Sequence, residues 1–572
     1  MKPNILFVNL PSMPLDSIIA NFSGENKITQ LMTMPLGILY LSSYIKKHNE
    51  LGSIGILDYV PRINNMSDYN NIDDYITKIA LKEADFTPDI IAFSLIFSTS
   101  VPFFNLCINT LKLIWPQSIS IVGGNHATNC SKELLNNANV DYVALGEGEV
   151  AFSKLINQFS NSEKIDVTGI YSKKNINSES QLELCEMVTD LDILPFPDWE
   201  LIDIEQYIIE RGRRRSIGSA TDSKAASIMT TRGCPYRCIY CASHTVHGRK
   251  MRFRSVENVI EEIKYLYNQY GVSLFIPEDD LFTGNRKQVL NLLSSIKALK
   301  IPNCELQFPN ALAVNTLDEE IIDAMCEAGM KIATIAIESG SEYVQKHIIK
   351  KNVNLKKAKE IVKYFRKKGI TVRCYFILGF PTETKEQMSE TVEYAKALGA
   401  DWNGLMFAAP LVGTEMYNQF VQMGYIKDDV EMWSKAAFAE RMFDTSEISA
   451  KDLHELLYNA NLECNFINNP NKINGQFEKA IELYKDVVEM YPFHIIGWYC
   501  IMECYQALGD EKNFRQTKEK ISSLIKSDKR AAEMFTKYNN LMPNFEADES
   551  LSLHLRNKDG NYYKLSDAAV KQ

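Results

Sequence analysis

Cys234, Cys238 and Cys241 stand at the spacing Cys-x3-Cys-x2-Cys, inside Thr231-Arg232-Gly233-Cys234-Pro235-Tyr236-Arg237-Cys238-Ile239-Tyr240-Cys241. Three thiolates on so short a loop can wrap one face of an iron–sulfur cube, and three ligands on a four-iron cluster leave one iron open to a further ligand. The competing chemistry is a zinc knuckle, which wants a fourth Cys or His close by. His244 and His247 keep that alternative open. The other cysteines carry no such pattern. Cys107, Cys130, Cys185, Cys304, Cys326, Cys374 and Cys464 are scattered singly and suit small buried apolar residues, and Cys500 and Cys504 are spaced as one face of a helix. Two further groups could bind ligands. Asp279 and Asp280 close the apolar run that ends in Pro277-Glu278, and Gly123-Gly124 and Gly146-Glu147-Gly148-Glu149 are turns where backbone amides can approach a phosphate or a bulky ring.

These residues need strands that end where they stand. Residues 1–150 alternate strand-like and helix-like runs, with strands expected at Asn4 to Leu10, Ile54 to Leu57, Ile90 to Phe93, Ile119 to Val122 and Tyr142 to Leu145. Five strands joined by helices make a doubly wound, Rossmann-like α/β domain whose ligands bind at the carboxyl ends of the strands. Ser94, Gly123-Gly124 and the Gly146 turn all lie at such ends. From 151 to 221 the pattern decays into polar stretches and Leu194-Pro195-Phe196-Pro197, which reads as a linker region. From 222 to 410 a second alternation begins with a strand at Ser227 to Thr230, followed directly by the cysteine loop. That pattern is a partial β/α barrel, in which chemistry sits where the strands end in loops. Residues 411–465 read as helices capping the barrel. In 466–572, Gly475, Phe477, Ala480, Tyr484 and Pro492 have the offsets of a tetratricopeptide unit, and Gly509 follows Gly475 at the period of that repeat. About one and a half units are legible, so the apolar faces of this helical tail need covering by the rest of the protein, a carrier or peptide partner, or a second subunit.

The cysteine spacing, placed directly after the first barrel strand, resembles the radical S-adenosylmethionine (SAM) superfamily, over roughly residues 222–410. The resemblance implies a [4Fe–4S] cluster on Cys234, Cys238 and Cys241 that binds SAM at its open iron. It further implies SAM contacts from Tyr240 on the adenine, from Asp279 or Asp280 on the amino group, from Glu338 and Ser339 on the ribose, and from Gly379 and Pro381 at the end of the fifth strand. The acidic pair departs from the commoner Gly-Gly-Glu signature of that superfamily. Strand order and strand-end glycines of the amino-terminal domain resemble the cobalamin-binding domain that precedes the barrel in one large class of these enzymes. By that likeness Ser94, Gly123, Gly124, His126, Gly146 and Glu147 face the corrinoid. The Asp-x-His-x2-Gly motif that supplies a histidine to cobalt is absent.

The reading is therefore a cobalamin-dependent radical SAM enzyme, a C-methyltransferase acting on an unactivated carbon through a 5′-deoxyadenosyl radical and methylcobalamin. The same cofactors could serve a cyclase, oxidase or ring-rearranging enzyme, and an interaction protein with a vestigial barrel is the alternative outside catalysis. Which side chains perform the chemistry on the substrate is not legible. The expected partners are a small-molecule or peptide substrate, a reductase that supplies electrons, and whatever covers the tail. The chain has 572 residues, enough for three or four domains at roughly 150 residues each, with 45% hydrophobic and 23% charged residues. That balance excludes disorder as the main theme. A formal charge of −10 argues against nucleic acid, and the run Arg211-Gly212-Arg213-Arg214-Arg215 reads as a solvated loop. No window approaches the roughly 18 uninterrupted apolar residues of a membrane span, and the apolar start is too short for a signal peptide. The expected location is the cytoplasm.

Overall fold

Six short strands form the amino-terminal sheet: β1 (Ile5–Asn9), β2 (Ile54–Asp58), β3 (Ile90–Ser94), β4 (Ile119–Gly123), β5 (Tyr142–Ala144) and β6 (Ile170–Tyr171). Their order is β2-β1-β3-β4-β5-β6, parallel except for the β5–β6 pair. Alternation along β1 shows why both faces are covered. Leu6 and Val8 pack with the helices at Ile72–Glu83 and Val101–Ile114, while Ile5 and Phe7 pack with those at Leu36–His48 and Glu149–Ser160. The order reverses between β1 and β3, and doubly wound sheets open their ligand crevice at such a switch point. The computed structural model describes residues 2–23, 33–63, 66, 68–177, 182–212, 217, 222–435 and 440–545. Arg213 to Arg215 of the basic run and residues 546–572 of the expected tail lie outside them.

The stretch expected to link the two domains contributes structure of its own. It supplies β6, too short at two residues to show a period in the sequence, and the helix Ile204–Gly212. Tyr207 of that helix donates to Asp58 Oδ2 at 2.7 Å, which ties the segment to the end of β2.

The second domain carries β7 (Ala225–Ile228), β8 (Thr231–Arg232), β9 (Arg252–Phe253), β10 (Leu274–Pro277), β11 (Glu305–Leu306), β12 (Ile332–Glu338), β13 (Thr371–Leu378) and β14 (Trp402–Phe407). Two parallel trios, β11-β10-β7 and β12-β13-β14, are joined by the bridges Leu306–Met330 and Leu312–Ile335, which makes a curved, open barrel. The expected first strand, Ser227 to Thr230, instead ends at Ile228. The chain reforms as the antiparallel hairpin β8–β9, which brackets the cysteine loop. The last strand, β14, carries too mixed a run to stand out in the sequence.

Four tail helices, Phe477–Met490, Ile495–Ala507, Glu511–Ser527 and Lys529–Tyr538, stack in succession. Their apolar faces are covered from within the molecule. Trp402 of β14, Leu462 and Phe466 share one core with Tyr484, Tyr499 and Ile501, and the Phe466 ring stacks on Tyr484 at 5.6 Å. Buried Asp401 receives Lys479 of the tail at 2.9 Å and the amide of Val372 at 2.7 Å, so one carboxylate fastens tail and barrel together.

Candidate functional site

The cysteine loop is fixed at its middle by an apolar side chain. Ile239 is 1% exposed, its amide donates to Ile349 O at 3.3 Å, and its carbonyl accepts from Met416 at 2.9 Å. That anchor leaves Cys234, Cys238 and Cys241 partly exposed on the same loop. Burial pushes all three thiols up, Cys241 to about 11, while Lys351 pulls Cys234 and Cys238 back. Cys238 also raises Cys234, and both raise Cys241, so iron binding must release protons here. Among the described residues no three His, Cys, Asp or Glu side chains converge on a single metal ion. A cube binds each thiolate through a different iron and so takes thiolates spread along a loop, and this donor set has that chemistry. Of the two histidines that could complete a zinc knuckle, His247 is engaged elsewhere: its Nδ1 lies 2.8 Å from Glu147 Oε1.

A cavity of about 400 Å³ opens between the two domains. Its amino-terminal wall is made by Ser94, Gly123, Gly124, Gly146 and Glu147, five of the six residues expected to face a corrinoid, and its opposite wall by Arg232, Ser243, Val246, His247 and Asp280. A side chain added at Gly123 would meet only Ala144 Cβ, at 4.0 Å, so the missing side chain leaves open space. Gly124 differs: its φ is +109°, and an added Cβ would sit 2.7 Å from Leu95 O. Such a glycine cradle beside apolar Ile38, Leu41 and Phe152 fits a large flat ring with a polar tail. His126, the sixth expected residue, does not line it. It is 1% exposed, with its ring 5.6 Å from Trp433 and Nδ1 2.9 Å from Ser98 Oγ, because the helix Val430–Lys435 closes over it.

The two acidic residues part company. Asp279 is buried, and its Oδ1 accepts the amides of Thr230 at 2.7 Å and Thr231 at 3.0 Å while Oδ2 accepts the Thr230 hydroxyl. Burial raises its pKa to about 6 in spite of those bonds. Asp279 therefore pins the break between β7 and β8, and Asp280 is the carboxylate that faces the cavity beside the cysteines.

Glu338 ends β12 at φ +69°, an unusual conformation for a side-chain-bearing residue, at an irregularity in the β12–β13 register. Its carboxylate accepts Lys351 Nζ at 2.8 Å and the Tyr240 hydroxyl at 3.1 Å, so residues from three segments meet beside Cys241. Ser339 turns inward, 0% exposed, and its hydroxyl lies 2.9 Å from Thr391 Oγ1. Gly379 has φ +84° and its amide donates to Glu383 Oε2 at 2.7 Å, with Phe380 at 3.0 Å. Arg441 donates to the Gly379 carbonyl, and Pro381 is buried behind the turn.

Desolvation lifts buried Glu383 to about 7, against the two amides and Arg441 that favour its ionised form. With a folded pKa above the unfolded value, the folded state holds the extra proton, and stability is lost as pH rises through about 7. The gap between the ordinary glutamate value of 4.5 and about 7 corresponds to roughly 3–4 kcal/mol at most. Glu383→Gln should keep an acceptor for both amides and flatten that part of the decline between pH 5 and 8 in denaturant melts. An unchanged slope would place the titration elsewhere.

Local sequence pattern carries no sign of the ionic network between the domains. Glu147 is held by Arg252 through both oxygens, at 2.8 and 2.6 Å, and Arg232 pairs with Glu149 at 2.6 Å and with Glu147 at 3.3 Å. These charges are all buried, and they hold Glu147 well below the usual carboxylate range, although burial alone would raise it. Removing one member of such a buried pair typically costs about 3–5 kcal/mol. Their partners are 83 and 105 residues away, beyond the reach of local pattern.

Residues 228–395 match the model of the radical SAM superfamily, and residues 31–156 match that of the B12 binding domain. A cytidylyl-2-hydroxyethylphosphonate methyltransferase of Streptomyces wedmorensis is 29% identical over 70% of this chain and 80% of its own. An anaerobic magnesium-protoporphyrin IX monomethyl ester cyclase of Cereibacter sphaeroides is 26% identical over 65% of this chain and 59% of its own. In fold, the chain is similar to the cobalamin-dependent SAM radical enzyme OxsB with aqua-cobalamin and SAM bound, at TM-score 0.61 and 17% identity over 96% of this chain and 85% of that one. The radical SAM methyltransferase TsrM of Kitasatospora setae gives 0.55 at 17% identity, over 75% of this chain and 80% of the other.

Proposed function

From its membership of the cobalamin-dependent radical SAM enzymes, given by the two domains it carries, we propose that this chain is a C-methyltransferase acting on an unactivated carbon of a small molecule. The observation that carries the reading is the shared cavity: the glycine cradle forms one wall, and Asp280 and the flank of the cysteine loop form the other. When bound, the cluster supplies the electron that cleaves SAM, and cobalamin supplies the methyl group. The chain's own residues bind, orient and exclude water. Cys234, Cys238 and Cys241 hold the cluster, and Asp280 takes the SAM amino group that Asp279, already saturated, cannot. Glu338 and Tyr240, hydrogen-bonded to each other beside the loop, would meet ribose and adenine. Ser94, Gly123, Gly124 and Gly146 bear on the corrinoid. Domains packed around one cavity keep a reactive radical from water.

The nearer similarity to a phosphonate methyltransferase supports methylation, while the cyclase relative supports a second reading, ring formation without net methyl transfer. An external one-electron donor is part of either. Counting products separates them. Under reducing conditions methylation yields 5′-deoxyadenosine and S-adenosylhomocysteine together for each product, whereas cyclisation gives no S-adenosylhomocysteine coupled to product. Among the described residues no helix is long and apolar enough to cross a membrane.

A further inference from the structure

The hairpin that frames the cysteine loop has a defect of its own. Arg232 and Arg252 are directly paired across β8 and β9, and like charges opposite one another repel. Both are buried, at 6% and 8% exposure, so water does little to screen them. Among the described residues, the carboxylates that neutralise them both come from the turn after β5 in the other domain: Glu147 on Arg252 and Arg232, and Glu149 on Arg232. The loop has little other slack. A Cβ on Gly233 would lie 2.5 Å from Lys250 O, and the helix that follows the third cysteine is held by Asn125 on Ala242 O at 3.2 Å and Asn129 on Thr245 Oγ1 at 3.0 Å. Glu147, Glu149, Arg232 and His247 also line the cavity assigned to the corrinoid.

We propose that Glu147 is a positioning residue that couples the two cofactor sites, so that the ordered cysteine loop and the corrinoid-ready cradle form together. The two sites share parts. A cluster on Cys234, Cys238 and Cys241 fixes the hairpin, which fixes Arg232 and Arg252, which in turn fix the turn carrying Gly146 and Glu147 at the cavity wall. A ligand that needs that wall then binds without having to order it. By linkage the effect is reciprocal. The inference rests on the cofactors of the family and is independent of whether the product is methylated.

The test compares hydroxocobalamin affinity of the full chain, prepared anaerobically, with and without its reconstituted cluster. Wild-type protein should bind hydroxocobalamin about 5- to 150-fold more tightly when the cluster is present, the ordinary range of coupling between sites. Glu147→Gln keeps the shape of the side chain and removes its charge, and it should bring that ratio close to one. A purely structural role would weaken binding in both forms and leave the ratio alone. Equal or weaker binding by the cluster-loaded wild type overturns the proposal, even if the variant fails to fold. So does a variant that retains the wild-type ratio, which would mean that the cofactors influence each other without Glu147.

Discussion

Replacing Cys234, Cys238 and Cys241 together by alanine should leave a folded chain that retains no four-iron cluster and forms no 5′-deoxyadenosine. The fold does not depend on the thiols. The middle of the loop is anchored by Ile239 and the break before the hairpin by Asp279, and neither contact uses a thiol. The other described cysteines offer no replacement. Cys107, Cys374 and Cys500 are fully buried in separate places, and burial pushes their thiols up to about 12 or beyond. Iron content and visible absorption after anaerobic reconstitution measure the loss. Four irons per chain in the triple variant would show that the cluster sits elsewhere.

Gly123→Leu should reduce hydroxocobalamin affinity by about tenfold to a hundredfold while leaving the thermal midpoint close to wild type. A side chain there enters the cavity past Ala144 without striking the backbone, so its cost falls on the ligand. Gly124→Leu is the informative contrast. Its Cβ would collide with Leu95 O, and φ +109° is unfavourable for any L side chain, so the end of β4 must shift and stability must fall as well. Equilibrium binding and thermal melts of both variants separate obstruction from distortion. If Gly123→Leu binds hydroxocobalamin as wild type does, the cavity takes another ligand.

The elements that place these groups were legible where chemistry and local pattern coincide. All five expected strands of the first sheet end within a residue or two of their positions, because the apolar runs stop at or just before a proline, serine or glycine, or at Asp58 in β2. The cysteine triad needed only its spacing. What stayed hidden depends on chain segments meeting from far apart. Nothing near Asp279 in sequence shows that Thr230 and Thr231 will consume both its oxygens, and nothing near His126 shows that Trp433 will cover it. Ser339 looked available for a ribose and instead closes on Thr391. The Gly146-Glu147-Gly148-Glu149 turn was recognisable as a ligand-facing strand end, while its glutamates reach across to two arginines whose pairing only the β8–β9 hairpin creates.

The fate of an isotope shows whether a methyl group is moved onto carbon. The reconstituted enzyme, loaded with hydroxocobalamin and given SAM labelled with deuterium in its methyl group, would be incubated with a low-molecular-weight extract under reducing conditions and its products resolved by mass. Methyl transfer predicts a new product carrying the intact labelled methyl group on carbon, formed together with 5′-deoxyadenosine and S-adenosylhomocysteine, and absent from the Cys234, Cys238 and Cys241 variant. A product that forms with 5′-deoxyadenosine and carries no label would contradict it and assign the enzyme to ring formation or oxidation.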